Sequence, residues 1–210
     1  MNLADEIVQH LITARNACNE ALELIVGPEP DPVPYVDRVD EMPVNLKPHH
    51  ADFLRCFPGR DMWPLRSLDD IDGITVHHTL SHSPLAAANY CTQAKGYPTV
   101  QYHFWVSAGD GCPVYRLVDE AVQLWHDHTG TYQTTLSVGL AGRWDYYVPP
   151  GEQLTALVEL VAWLMRTYRV PIEEVQGHCT RALPIITVCP GWYRADWHDA
   201  FFDLLEAEVG

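Results

Sequence analysis

The stretch TTLSVGLAGRWDYYVPPGEQLTALVELVAWLMRTYRV, residues 134–170, decides the fold class. Residues 134–142 predict a strand with small residues on one side. Residues 149–170 repeat apolar side chains at helical spacing behind two prolines, and they predict the strongest helix of the chain. A strand that leads into an amphipathic helix is typical of α/β proteins, in which helices cover a sheet.

Segments on both sides extend this pattern. Residues 62–79, MWPLRSLDDIDGITVHHT, end in a β-branched run after an Asp-Gly turn and predict a strand. Residues 83–96 carry an N-cap serine, a first-turn proline and a final glycine, and they predict a helix. Residues 101–120 predict two strands around a Gly-Asp-Gly turn, and a last helix is expected from Tyr193 to about Glu206. Together these elements predict an α/β fold with a mixed central β-sheet flanked by helices.

The N-terminal part has a different character. Residues 4–25 predict an amphipathic helix, because apolar or small side chains recur in steps of four and three. Five prolines between Gly27 and Lys47 disfavour helix and strand pairing, so this part predicts a linker or an extended strap. We therefore divide the chain into residues 1–48, a helix with a Pro-rich linker, and residues 49–210, the main domain. The apolar stripe of the helix must pack either on the main domain or on a second copy of the chain.

Composition and charge exclude several classes of protein. The 210 residues, 47% of them hydrophobic, suit one catalytic-sized domain with an appendage. Only 13 Lys and Arg stand against 28 Asp and Glu, and the net charge of -15 disfavours a nucleic-acid binder. The first residues, MNLADEIVQHLITARN, lack a basic segment and mix polar with apolar side chains. They predict neither a secretory signal nor a membrane span, so we expect a protein made in the cytoplasm.

Two motifs place metal-binding side chains at the ends of predicted elements. The first is ITVHHT, with His77 and His78, and the second is QGHCTRALPIITVCPGW, residues 176–192. They offer imidazole nitrogens and a thiolate, which suit zinc, and three protein ligands leave a fourth position for water. Neighbouring side chains of a strand point to opposite faces, so His77 and His78 cannot readily bind one ion. The six cysteines form no CxxC pair, which favours reduced thiols with one of them as a metal ligand.

Five separated blocks, in order along the chain, resemble those of the zinc-dependent N-acetylmuramoyl-L-alanine amidases. This type 2 family includes phage lysozyme-type endolysins and animal peptidoglycan recognition proteins. The resemblance covers about residues 60–205, and it implies the mixed sheet and flanking helices of that family. The blocks are ITVHHT (74–79), QYHFWVSAGDGCPVYRLVDE (101–120), WHDH (125–128), SVGLAG (137–142) and the GH and TVCPG motifs within 177–191.

The resemblance implies which residues would hold the metal. Carried over by position from the HH, GH and CPG motifs, the zinc ligands would be His77, His178 and Cys189. Ten residues separate His178 from Cys189, a longer gap than the family usually shows, so the loop between them is expected to bulge. Cys179, next to His178, is expected to be a bystander.

Four further residues are implied around this metal. Tyr102 matches the catalytic tyrosine of the family and would orient water or steady the tetrahedral oxyanion. Thr187 stands where the family carries Lys or Thr beside the reacting carbonyl, and it would donate a hydrogen bond without a charge. His126 matches a histidine beside the cleft and would contact substrate or support a ligand. His78 is expected either at the substrate or in a supporting and packing position.

The activity implied by the resemblance is hydrolysis of the amide between N-acetylmuramic acid and the L-alanine of the peptidoglycan stem. We favour a phage or prophage endolysin that reaches the cell wall after release through a membrane pore. A cytoplasmic wall-recycling amidase and a non-catalytic peptidoglycan-binding module are the alternatives, and the presence of Cys189 argues against the second. A zinc peptidase or a deaminase would need an HExxH pattern or an HxE with PCxxC, and neither occurs.

Overall fold

A mixed β-sheet forms the centre of the protein, in a computed structural model that describes residues 46–48, 63–127 and 129–210. The predicted helix of residues 4–25 and most of the predicted linker lie outside the described residues. The six described strands lie side by side in the order β1-β4-β3-β5-β2-β6. Their bounds are β1 Leu46–Pro48, β2 Gly73–His78, β3 Phe104–Val106, β4 Val114–Arg116, β5 Thr135–Leu140 and β6 Val175–Gly177.

Parallel and antiparallel pairs occur together in this sheet. Strands β3 and β4 form the antiparallel hairpin expected around the Gly-Asp-Gly turn. The other four neighbouring pairs are parallel. Parallel neighbours need crossover connections, and the chain between β2 and β6 includes the helix Gly151–Tyr168. The predicted mixed sheet flanked by helices is therefore confirmed.

Two of the strands were not predicted. Strand β6 is three residues long, too short to show an alternating pattern, and it follows a 3-10 turn at Ile172–Glu174. Strand β1 pairs in parallel with β4, although its residues lie in the segment assigned to the linker. Its proline ends a strand at the edge of the sheet, where a missing N–H is tolerated. The sheet thus begins before residue 49.

The described α-helices are α1 Pro84–Asn89, α2 Gly151–Tyr168, α3 His178–Arg181 and α4 His198–Val209. Helix α1 begins as predicted, because the Ser83 hydroxyl accepts the N–H of Ala86 at 3.3 Å. The predicted start of the last helix at Tyr193 is wrong, since α4 begins at His198. Asp196 has a φ of 57°, a left-handed conformation that interrupts a right-handed helix. In the described part of the chain, no helix is long and apolar enough to cross a membrane.

Helices cover both faces of the sheet. Along β3, Phe104 and Val106 pack in the core under α2 and α4, whereas Trp105 packs in a second cluster under α1. Strands β2 and β5 are buried along their whole length, as expected for strands covered on both faces. The two histidines that end β2 therefore lie at the carboxyl edge of a double-sided core.

Candidate metal centre and active site

Three side chains from distant parts of the sequence meet at the ends of β2 and β6. The ligand atoms of His77, His178 and Cys189 all lie within 4.8 Å of one another. Strands β2 and β6 are parallel, and Val76 pairs with Gly177. The next residues along the chain, His77 and His178, therefore lie beside each other. Their ring centroids are 4.7 Å apart. The Cys189 Sγ lies 3.8 Å from Nδ1 of His77.

Glycines allow the loop that carries Cys189 to approach the sheet. Gly191 has a φ of 101°, and a Cβ there would overlap the carbonyl oxygen of Trp144. A Cβ on Gly177 would lie 2.7 Å from Cδ of Pro190. Both contacts are well inside van der Waals distance, so packing requires the glycines of the GH and CPG motifs.

Hydrogen bonds from the main chain hold the cysteine loop. The N–H of Cys179 donates to the Cys189 carbonyl at 2.6 Å, and the Cys179 thiol is not part of the ligand cluster. The N–H of Cys189 donates to Thr187 Oγ1 at 3.3 Å. The N–H of His78 donates to the Cys189 Sγ, also at 3.3 Å. The outer part of the loop projects into solvent as expected for a bulge, and Ile186 is 93% exposed.

Burial disfavours charge on the candidate ligands. It lowers the pKa of His77 well below its usual value, and the nearby His178 and His126 rings add to the effect. It raises the pKa of the Cys189 thiol. A neutral imidazole presents a lone pair, and a thiol releases its proton when a cation binds. Two imidazoles and one sulfur are the donors that borderline soft divalent ions prefer, so His77, His178 and Cys189 form a possible metal site.

Tyr102 lies next to this cluster. Its ring centroid is 5.7 Å from that of His77. The ring packs on Gly139 of β5, where a Cβ would lie 2.9 Å from Cγ of the tyrosine. Gly139 is in register with His77 on β2, so one close approach places the phenol beside the ligand. Burial raises the pKa of Tyr102, which keeps the hydroxyl protonated and able to donate a hydrogen bond.

His126 lies behind His77 and is 5% exposed. Its Nδ1 is 3.3 Å from Nε2 of His77, and the two rings are nearly perpendicular at 86°. Its Nε2 is 3.2 Å from Oγ1 and 3.4 Å from the carbonyl oxygen of Thr135. Burial lowers the pKa of His126 to about 3, against an opposing effect of the Asp127 carboxylate.

His78 faces away from the ligand cluster. It is buried, and its Nδ1 accepts the N–H of Trp144 at 3.3 Å. Burial lowers the pKa of His78, although Asp145 opposes the shift. Strand alternation explains why two adjacent histidines have such different neighbours.

The residues that support His126 were not predicted from the sequence. Asp127 closes a turn behind it, accepting the N–H of Gly130 at 3.2 Å and the hydroxyl of Thr131 at 2.6 Å. The Asp-x-x-Gly spacing of DHTG is a turn signal that could have indicated this fold-back. Thr135 carries no such signal, because its contact with His126 depends on where the turn returns to the sheet.

Residues 67–192, more than half of the chain, match the family model described as N-acetylmuramoyl-L-alanine amidase. The chain belongs to this amidase family. The matched range contains Tyr102 and the three candidate ligands of the amidase. No curated protein sequence matches the chain at a significant level.

Solved structures similar to this amidase include two endolysins and a recognition protein. The endolysine N-acetylmuramoyl-L-alanine amidase LysCS from Clostridium intestinale is 25% identical over 70% of this chain and 96% of its own, with a TM-score of 0.54. The endolysin from Thermus scotoductus bacteriophage Ph2119 is 18% identical over 79% and 99%, with a TM-score of 0.58. Drosophila PGRP-LB is 18% identical over 72% and 90%, with a TM-score of 0.56. The latter two show the shared fold.

The amidase is therefore an amide hydrolase, and peptidoglycan is the substrate that fits its family. Enzymes of this class cleave the bond between N-acetylmuramic acid and the L-alanine of the peptide stem. In this amidase the possible metal site lies at the carboxyl edge of the sheet, with Tyr102 beside it.

Proposed function

We propose that the amidase is zinc-dependent and that His77, His178 and Cys189 bind the ion. The observation that carries this proposal is the convergence of their ligand atoms within 4.8 Å, next to the Tyr102 ring. Two imidazoles and one thiolate suit a catalytic zinc site, in which three protein ligands leave one position open. Zinc held in this way would supply Lewis acidity toward the scissile carbonyl and would activate water as the nucleophile at neutral pH.

Tyr102 is the proposed hydrogen-bond donor to the oxyanion. Its hydroxyl keeps its proton because burial raises the pKa of the phenol. Its ring rests on Gly139 and beside His77, both in paired strands, so the sheet sets the position of the hydroxyl. A donor positioned in advance stabilises developing charge without reorganisation, which is worth about 10²-fold to 10³-fold in turnover.

Thr187 is a weaker proposed donor. Its oxygen accepts the N–H of Cys189, which holds the side chain beside the ligand and leaves its hydrogen to donate to substrate. Because threonine carries no charge, we expect it to contribute less than Tyr102. For His78 we propose a supporting role, since its Nδ1 is engaged by the N–H of Trp144.

The proposed setting is that of a phage or prophage endolysin. The likeness to the endolysine amidase LysCS supports it. Action at the cell wall then follows release through a membrane pore, and peptidoglycan is the proposed partner. A cytoplasmic wall-recycling amidase would use the same chemistry on soluble fragments. Comparing rates on intact cell walls and on soluble muropeptides separates the two, because a recycling enzyme leaves intact walls uncut.

Mass spectrometry of peptidoglycan after incubation with the zinc-loaded protein tests the activity. We expect free stem peptides that begin with L-alanine, and one zinc per chain by elemental analysis. Cys189→Ser should lose both zinc and activity, because a hydroxyl is a far poorer zinc ligand than a thiolate. Cys179→Ser is the matched control, since its thiol lies outside the cluster, and it should keep both. Full zinc occupancy in Cys189→Ser would contradict the ligand assignment.

For residues 1–48, of which Leu46–Pro48 form β1, we propose a helix followed by a linker, and the apolar stripe of the helix pairs with a second copy of the chain or packs on the main domain. An uncovered stripe of this length would leave the helix marginal in water. Light scattering of the full chain decides between the two, with Leu11→Asp in the stripe and Gln9→Asp outside it. A dimer that only Leu11→Asp dissociates supports self-association, and a full-length monomer contradicts it.

A further inference from the structure

His126 offers no ring nitrogen to a substrate, because both of its nitrogens already have neighbours inside the protein. Its Nδ1 faces Nε2 of His77 at 3.3 Å, and its Nε2 faces Thr135 at 3.2 and 3.4 Å. We propose that Thr135, His126 and His77 form a positioning chain that sets the orientation and the tautomer of the metal ligand His77. The proposal rests on the proposed function in one respect, namely that a metal binds at His77.

The direction of each hydrogen bond in the chain follows from its far end. The Thr135 hydroxyl donates its hydrogen to the carbonyl oxygen of Thr131 at 2.9 Å, so its oxygen can only accept from His126. The carbonyl oxygen of Thr135 can likewise only accept. Both contacts therefore place the ring proton of His126 on Nε2. A neutral imidazole carries one proton, so Nδ1 of His126 is an acceptor.

The proton position on His126 in turn determines the proton position on His77. With a lone pair on Nδ1 of His126, the hydrogen bond at 3.3 Å requires that Nε2 of His77 donates. The lone pair of His77 is then on Nδ1, the nitrogen that lies 3.8 Å from Sγ of Cys189. The chain thus points the free nitrogen of His77 at the other candidate ligand. Partners of this kind, which bind the second nitrogen of a ligand histidine, fix its ring and raise its basicity.

The turn that Asp127 closes supports the Thr135 end of the positioning chain. The Asp127 carboxylate is almost fully buried and accepts the hydroxyl of Thr131 at 2.6 Å. Thr131 in turn supplies the carbonyl that accepts from Thr135. His126 and Thr135 are 5% and 0% exposed, so water has little access to compete for these bonds. The chain therefore connects a capped turn to the metal ligand through buried contacts.

Zinc affinity of the full chain, measured by competition with a chelator, tests the proposal. His126→Leu should lower the affinity about 10-fold to 100-fold, the usual effect of losing such a partner. His126→Gln keeps one acceptor and one donor and should lose less. Thr135→Val, which removes the hydroxyl and keeps the shape, should fall between these variants and the wild type, and Thr135→Ser should restore affinity.

Thr75→Val is the matched control for a buried threonine in the sheet. The Thr75 hydroxyl is fully buried and has no hydrogen-bond partner among the residues that the structure describes, so its removal should leave zinc affinity unchanged. The visible spectrum of the cobalt-substituted protein is a second measurement. A positioning role predicts a shifted sulfur-to-cobalt band in the His126 variants, and a band unchanged from the wild type contradicts it.

The outcomes distinguish failure of the positioning chain from failure of the proposed zinc-dependent function. A wild-type protein that binds no zinc overturns the proposed cofactor and the chain together. If the wild type binds zinc, and His126→Leu and Thr135→Val bind it with the same affinity as the wild type, only the positioning chain is overturned. An equal loss in Thr75→Val and Thr135→Val also overturns it, because the loss would then reflect packing. If circular dichroism shows His126→Leu unfolded, the Thr135 series decides.

Discussion

The two sides of the candidate metal centre are built in different ways. On the strand side, His77 is the second-last residue of a fully buried strand and is surrounded by buried or half-buried rings. On the loop side, Cys189 arrives on a segment whose outer residues face solvent, with Leu183 and Ile186 at 62% and 93% exposure. The strand side holds its candidate ligand by packing within a buried core. The loop side is held against it by close approaches at glycines and by a few main-chain hydrogen bonds.

Removal of the metal should have the largest effect and should fall unevenly on the two sides. Chelation should abolish hydrolysis and lower the melting temperature, since a bound ion at 1,000 times its Kd stabilises the folded state by about 4 kcal/mol. Hydrogen exchange should then increase more at residues 178–191 than at Gly73–His78, because only the loop loses its main attachment. Added zinc should reverse all three changes. An equal increase on both sides would contradict the contrast.

Gly191→Ala tests whether the loop side depends on its close approach. The new Cβ meets the carbonyl oxygen of Trp144, so we expect loss of zinc binding and about 2–4 kcal/mol of stability. Gly109→Ala is a matched control, because Gly109 has the same φ of 101° but nothing within 4 Å of its Cβ. It should cost only the backbone strain, about 1 kcal/mol, and keep the metal. Similar losses in both variants, measured by urea unfolding, would show that strain and not contact decides.

Tyr102→Phe tests the strand side without touching a ligand. Turnover should fall about 10²-fold, because the donor is lost while the ring still packs on Gly139. Zinc content and melting temperature should stay at their wild-type values. A turnover number that does not change would reduce Tyr102 to a packing residue.

Ile186→Ser should have the smallest effect. The side chain is 93% exposed, so its replacement should change the free energy of unfolding by no more than about 0.5 kcal/mol. Zinc affinity should also be unchanged, because the outer loop does not hold Cys189. A clear loss of affinity would mean that the outer loop takes part in positioning the thiol.

The same contrast explains what could be predicted from the sequence. Strand β2 and helix α2 could be predicted from local patterns, a β-branched run and an apolar stripe at helical spacing. Strand β6 could not be predicted, because its three residues form a strand only by pairing with β2. The predicted start of α4 was wrong, because the sequence has no clear signal for the left-handed conformation of Asp196.

For the site, the resemblance to the amidase family, carried by the HH, GH and CPG motifs, implied His77, His178 and Cys189 as one ligand set, and the structure places their ligand atoms in one cluster. The motif could not indicate what lies behind them. The neighbours of His126 depend on a turn that folds back and on the register of β5, and both are properties of the assembled sheet. Local chemistry was therefore accessible from the sequence, and support for it was not.

The distance along the chain between the candidate ligands has a consequence for how the protein is made. His77 and Cys189 are 112 residues apart, and His178 directly follows β6, which pairs with β2. Contacts between residues so far apart in the sequence form late in folding, because closing a long loop costs conformational entropy before the contact can stabilise the fold. A growing chain on the ribosome therefore cannot bring the three candidate ligands together until Cys189 has emerged. If the proposed zinc site is correct, the ion can be bound only after most of the chain has been made, and a product that ends before Cys189 lacks one of the three candidate ligands.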